Sequence, residues 1–144
     1  MSFEIFIFSI LFITGCSNKL ICPLQNGMII QKEIPKFSMS DPNGQIEIES
    51  ENPEVYSVSS GEIIKIIQIG NRAKTILIKS KNNRFYVYSN LEKVNFKKGD
   101  SVKKNKVLGE LKFDENQYIL RFGIRENSEK INPENCLKCK KHKQ

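Results

Sequence analysis

Gln117–Arg125 reads Gln-Tyr-Ile-Leu-Arg-Phe-Gly-Ile-Arg, and its alternation decides the fold class. In an extended chain Leu120, Phe122 and Ile124 share one face, while Ile119, Arg121, Gly123 and Arg125 share the other. That period of two is the mark of a half-buried strand. Moving towards the N-terminus, Val107–Phe113 reads as another strand, and Arg84–Ser89 is rich in aromatics. Thr75–Lys79 precedes that segment across a Lys81-Asn82-Asn83 turn, which makes the pair a hairpin. Glu62–Ile69 holds five isoleucines and is β-branched enough for a strand. Gln45–Glu49 alternates briefly between a Ser40–Gly44 turn cluster and an Asn52-Pro53 break, and an Asn26-Gly27 turn precedes the apolar Met28-Ile29-Ile30. No stretch has a helical period. Short strands at this spacing predict an all-β domain, a small antiparallel sheet or sandwich.

The chain of 144 residues is long enough for one such core. Its formal net charge of +7 favours anionic partners, and with no nucleic-acid motif, nucleic acid is not expected among them. Ile5–Ile13 is almost unbroken apolar sequence, too short for a mature membrane span. It runs into Ile13-Thr14-Gly15-Cys16, which resembles a bacterial lipoprotein signal. The reading is a cleaved signal at 1–15, lipidation of Cys16, a tether at 16–21 and a location in the cell envelope, on the periplasmic or surface side of a membrane. Glu4, and the lack of Lys or Arg before the apolar run, depart from that pattern. Of the remaining cysteines, Cys22 opens the domain and Cys136 closes it, so a Cys22–Cys136 bridge is one expectation. Cys136, Cys139 and His142 could instead approach a metal, but a structural zinc site closes with four ligands. A solvated basic tail at 138–144 is preferred, with no metal and no cofactor.

Several phrases, in order, resemble the LytM (lysostaphin-type) peptidoglycan metallopeptidases. Val55–Ile63 is similar to that family's strand-and-turn "pVyA..dG.V", and Phe85–Leu91 to its "..Y.HL" segment. Val94–Gly109 resembles "V..Gd.V..Gq.iG", Leu120–Arg125 "lHfeir", and Asn132–Leu137 "nP..yL". The resemblance covers about residues 22–137 and implies a LytM-type sheet of the duplicated hybrid motif, barrel-sandwich-like, with a groove over it. Active members bind zinc through a His, an Asp four residues later and the second His of an H-x-H; two further histidines assist catalysis. This chain places Asn43, Glu47, Asn90, Ile119 and Arg121 at those five positions, and its one histidine is His142.

A zinc hydrolase needs about three protein ligands and an open position for water, whose pKa the metal lowers to about 7. Glu47 could ligate; Asn43 and Ile119 could not usefully, and Arg121 would repel the metal. The resemblance therefore implies a lipid-anchored pseudoenzyme that binds peptidoglycan or regulates a peptidoglycan hydrolase. Arg121 and Arg125, with Gly123 leaving space between them, would form a carboxylate site, or Glu47 would pair with Arg121 and close the groove. A structural adaptor of an envelope complex, of barrel-sandwich type, is the alternative, with an active zinc endopeptidase behind both.

Overall fold

A computed structural model describes Cys16 and residues 18–30, 44–127 and 129–141. Among these residues the strands are β1 Met28–Ile30, β2 Ile46–Ser50, β3 Glu54–Tyr56, β4 Gly61–Ile67, β5 Lys74–Lys79, β6 Arg84–Val94, β7 Ser101–Val102, β8 Val107–Leu111, β9 Phe113–Asp114, β10 Gln117–Glu126, β11 Glu129–Ile131 and β12 Lys140–Lys141. One 3-10 turn, Pro133–Asn135, is the only helical element there. All twelve strands belong to a single sheet, in the order β12-β1-β2-β10-β6-β5-β4-β7. β8 joins β6 and carries β3 on its other side, while β9 and β11 add to β10. The pairings between strands are antiparallel except that of β1 with β12. This is the all-β architecture expected from the sequence.

Burial follows the alternation of β10. Leu120, Phe122 and Ile124 are buried, while Arg121 and Arg125 are exposed. Phe122 stacks on Tyr86 at 6.2 Å between ring centroids and meets Tyr88 edge-on at 5.2 Å. Ile48, Ile63, Ile76 and Ile78 extend this layer, and Val55, Leu108 and Leu111 from β3 and β8 complete the core. Tyr86 and Tyr88 are therefore core residues, and the alternating Phe85 and Val87 face the opposite side of the sheet.

Two strands differ from their expected bounds. β6 runs past Ser89 to Val94, because Asn90 bulges out of the ladder. Thr75 pairs with Ser89 and Lys74 with Leu91, which leaves Asn90 unpaired at φ 80°. Beyond the bulge the strand changes partners and pairs with β8. A bulge that turns a strand from one partner to another is a common corner device. The strand expected over Val107–Phe113 breaks at Lys112, whose N–H donates to Asn90 O at 3.0 Å. Phe113 and Asp114 then begin a new hairpin with β10. Of the expected Ser40–Gly44 turn cluster, only Gly44 is described, in a turn at φ +100°.

β8 reaches β6 closely enough to require a glycine. A Cβ on Gly109 would collide with the carbonyl oxygen of Lys93, and backbone on both sides leaves no side chain to move aside. Gly109→Ala should therefore destabilise the domain by about 3 kcal/mol, read as a lower urea midpoint at unchanged m-value.

Tyr88 crosses the core so that its phenol oxygen accepts the Val58 N–H at 3.0 Å. Burial pushes its ionisation well above the ordinary value of 10.0. The unfolded chain ionises first as pH rises, so the neutral phenol's contribution is intact below about pH 10 and declines above it. Relative to Tyr88→Phe, the wild type should lose up to about 1.4 kcal/mol per pH unit above pH 10 and nothing near neutrality. Unfolding curves of both proteins at matched pH check this.

Candidate functional site

The face of the sheet opposite the core carries a groove of about 1050 Å³. Its floor is Thr75 and Leu77 of β5, Val87 and Ser89 of β6, and Ile119 and Arg121 of β10. Gln45 and Glu47 bound one side. The β4–β5 hairpin, with Ile67, Ile69 and Arg72, and the β9–β10 hairpin, with Asp114 and Glu115, bound the ends. Ile69 is 67% exposed, so the rim offers apolar as well as charged contacts. Neither rim was legible as part of a site. Ile67 and Ile69 read as strand interior, and only the Gly70-Asn71 turn hints that the strand ends early.

Arg121 and Glu47 are direct cross-strand partners on β10 and β2, with Arg121 Nε 3.5 Å from Glu47 Oε1. The Glu47 side chain is only 11% exposed and that of Arg121 is 53% exposed. A half-exposed pair of this kind contributes little to stability, well under about 1 kcal/mol. The register of β10 on β2, not the pair, sets Arg121 over the groove floor. The pair does not close the groove, which stays open beyond it.

Asn90 lies in the same groove. Its bulge conformation turns the side chain towards β10, where Nδ2 donates to Ile119 O at 2.6 Å. Thr75 Oγ1 donates to Ser89 Oγ at 3.1 Å on the neighbouring rung. Arg125 also lines the groove, two pleats from Arg121, roughly 13 Å away at strand rise. The space expected at Gly123 is taken by Gln45, whose Cγ would lie 3.0 Å from a Cβ there. Five of the six expected groove residues, Glu47, Asn90, Ile119, Arg121 and Arg125, therefore share one groove. Asn43 lies outside the described residues.

Residues 43–133, more than half of the chain, match the family model described as Peptidase family M23. The chain belongs to peptidase family M23. This M23 domain is 26% identical over 93 residues to stage IV sporulation protein FA of Bacillus subtilis (strain 168), a match spanning 63% of this chain but only 35% of that protein. It superposes with TM-score 0.64 and 18% identity on a chain of the SpoIIQ–SpoIIIAH pore-forming complex, covering 83% of this chain and 91% of that one. A putative peptidase M23 from Pseudomonas aeruginosa aligns with TM-score 0.63 and 15% identity, covering 83% of this chain and 50% of that one. These two structural likenesses carry the fold alone.

The M23 fold implies zinc, and the residues present do not fit it. Among the described residues no group of three or more His, Cys, Asp or Glu side chains could hold a metal ion. Glu47, the one carboxylate among the expected ligand positions, faces a guanidinium. Ile119 offers no donor atom, and the Asn90 amide is bonded to backbone.

The cysteines depart from expectation. Cys16 bonds to Cys136, and Cys22 to Cys139, so the expected Cys22–Cys136 bridge is absent and Cys136 and Cys139 are not available as metal ligands. The physical reason is parallel alignment. Leu20 bridges Leu137, and Met28 pairs with Lys140 in the same direction. Parallel segments keep their order, so the first cysteine of one meets the first of the other. A sulfur bonded to Cys136 cannot also carry a lipid thioether, so lipidation of Cys16 and this bridge exclude one another. Nor is the entry segment a free tether, since Leu20 N–H donates to Cys136 O at 2.7 Å and Lys138 N–H to Leu20 O at 2.9 Å. The stretch expected as a solvated tail supplies β12 and a disulfide, and the fold continues past residue 137. Residues 1–15 and His142 lie outside the described residues.

The two bridges join cysteines 120 and 117 positions apart and close nearly the same loop, so their effects should be strongly non-additive. With one in place, the other closes only the short stretches 16–22 and 136–139. Replacing either pair by serine should cost about 2–3 kcal/mol, and replacing both on the order of 7 kcal/mol. Urea unfolding of the three variants without reductant measures the difference.

Proposed function

We propose that this chain is a catalytically inactive M23 domain that serves as an interaction module of a cell-envelope complex. Its groove receives an extended segment of a partner protein, with one carboxylate set against Arg121 and a second against Arg125. The observation that carries this reading is the guanidinium of Arg121 at a zinc-ligand position. It changes the site from one that polarises water to one that captures an anion through paired N–H donors. The apolar floor of Leu77, Val87 and Ile119 adds non-specific burial, and the flanking hairpins set direction along β10. A chain of the same fold forms part of the SpoIIQ–SpoIIIAH complex, so the fold is compatible with a role in assembly.

A stem-peptide carboxylate of peptidoglycan offers the same chemistry, and it is the second reading because the Arg121–Arg125 spacing suits two anions along one strand. Lipid anchoring through Cys16 belongs to this proposal only for a form in which Cys136 is unbridged.

Arg121→Ala combined with Arg125→Ala should weaken binding of the native envelope partner at least about tenfold, since each charged hydrogen bond contributes about 1.5–3 kcal/mol, with the thermal midpoint within a few degrees of wild type. Retention of the double variant equal to wild type, both on the partner and on purified sacculi, would sink the groove reading. Stoichiometric zinc with muropeptide cleavage would overturn the inactive reading.

A further inference from the structure

We infer that Cys16 and Cys136 form a redox-active pair, which an external dithiol opens while Cys22–Cys139 keeps the ends of the domain stapled. The inference uses no groove residue and stands whether or not the groove binds a partner.

The two sulfurs of the pair lie in unlike surroundings. Cys136 is fully buried and belongs to the hydrophobic core. Cys16 is half-buried, and Arg84 Nη1 donates to its sulfur at 3.5 Å. The guanidinium is fixed from its other side, where Nη2 donates to Glu126 Oε2 at 3.0 Å. Tyr86, the other titratable side chain at Arg84, is a buried core residue. A cation beside a sulfur favours the thiolate, whereas an apolar core favours the neutral thiol. Reduction therefore gives each sulfur the form its site accepts, thiolate at Cys16 and thiol at Cys136. Stabilising the reduced form in this way makes a disulfide easier to reduce.

The second bridge is built differently. Cys22 Sγ faces the Gly27 carbonyl oxygen at 4.0 Å, and a carbonyl dipole disfavours an anion. Among the described residues no cationic side chain is hydrogen-bonded to Cys22 or Cys139. Main-chain bonds flank this bridge, from Lys138 N–H to Leu20 O and from Lys140 N–H to Gly27 O, both at 2.9 Å. Among the described residues, Leu20 is the first of the entry segment to bond to the C-terminal segment through its backbone. Opening Cys16–Cys136 thus frees a short stretch ahead of Leu20 and leaves β1, β12 and the other bridge in place.

The chemistry is ordinary thiol–disulfide exchange with a dithiol as reductant. One thiolate of the dithiol attacks Cys16 Sγ, the more accessible sulfur. A mixed disulfide forms there as the Cys16–Cys136 bond breaks, and the Cys136 sulfur leaves with the electron pair and takes up a proton. The dithiol's second thiolate then attacks the dithiol sulfur bound to Cys16. The dithiol closes into a disulfide, and Cys16 is expelled as a thiolate beside Arg84. Two electrons pass from the dithiol to the protein, one proton ends on Cys136, and the other is released to water.

The test equilibrates the full 144-residue chain in reduced and oxidised dithiothreitol at stepped ratios, traps free thiols and maps them by peptide mass spectrometry. A species labelled at Cys16 and Cys136, with Cys22–Cys139 intact, should precede the fully reduced chain. The Cys16–Cys136 bridge should be the more easily reduced by at least about tenfold, or about 30 mV for a two-electron couple. In that species iodoacetamide at about pH 7 should modify Cys16 at least about tenfold faster than Cys136. Arg84→Gln should lower the equilibrium constant for opening Cys16–Cys136 at least about fivefold. Glu126→Gln, which keeps the guanidinium, should stay within about twofold of wild type. The wild-type measurement needs no variant to fold. Opening of Cys22–Cys139 first, or of both bridges at one ratio, would overturn the inference. So would equal alkylation of Cys16 and Cys136, or an Arg84→Gln equilibrium equal to that of wild type.

Discussion

The register of β10 between β2 and β6 is the constraint on which the rest of the molecule depends. Both edges of this strand are paired along its central residues, so one alignment sets three features at once. It buries Leu120, Phe122 and Ile124, sets Arg121 opposite Glu47, and brings Ile119 within reach of Asn90. A slip of one residue would exchange the faces, putting two arginines into the core and three large apolar side chains into water. With each such side chain contributing about 1.5–3 kcal/mol on burial, the slipped register is inaccessible. Core packing therefore fixes the position of a surface charge pair that would not hold itself in place.

That coupling explains why a site can lose its metal chemistry while the framework persists. The strands are specified by the buried face, and the groove residues occupy the complementary positions of the same strands. Substitutions on the groove face leave the core alternation untouched. Asn90 is the exception, because its amide and its positive φ also form the corner where β6 leaves β10 and β5 for β8. Its left-handed backbone is one that Asn tolerates better than most residues.

What was legible in the sequence was what has a short period. The alternation in Gln117–Arg125, the isoleucine-rich β4 and the Gly99 turn all declare themselves locally, as do the residues at the former ligand positions once the order of phrases is seen. The missing features were non-local. β7 and β12 are two residues long and become strands only because a distant partner offers its edge. The filling of the Gly123 gap by Gln45, and the early end of β8 at Lys112, depend on contacts far away in the chain. The cysteine pairing failed for the same reason. Spacing alone cannot reveal that Cys16–Leu20 and Cys136–Lys141 run side by side, and the basic composition of the last residues resembled that of a solvated tail.

The double staple also determines how the domain bears load. Cys16 and Cys136 are neighbours in space although 120 residues apart in sequence, and the second bridge lies beside the first. Tension applied between the flanking segments would pass directly through the sulfur–sulfur bonds. The ladders of β2, β10, β6 and β5, and with them the groove, would stay outside the force path. Tension on both ends of this domain would therefore leave the shape of its groove unchanged.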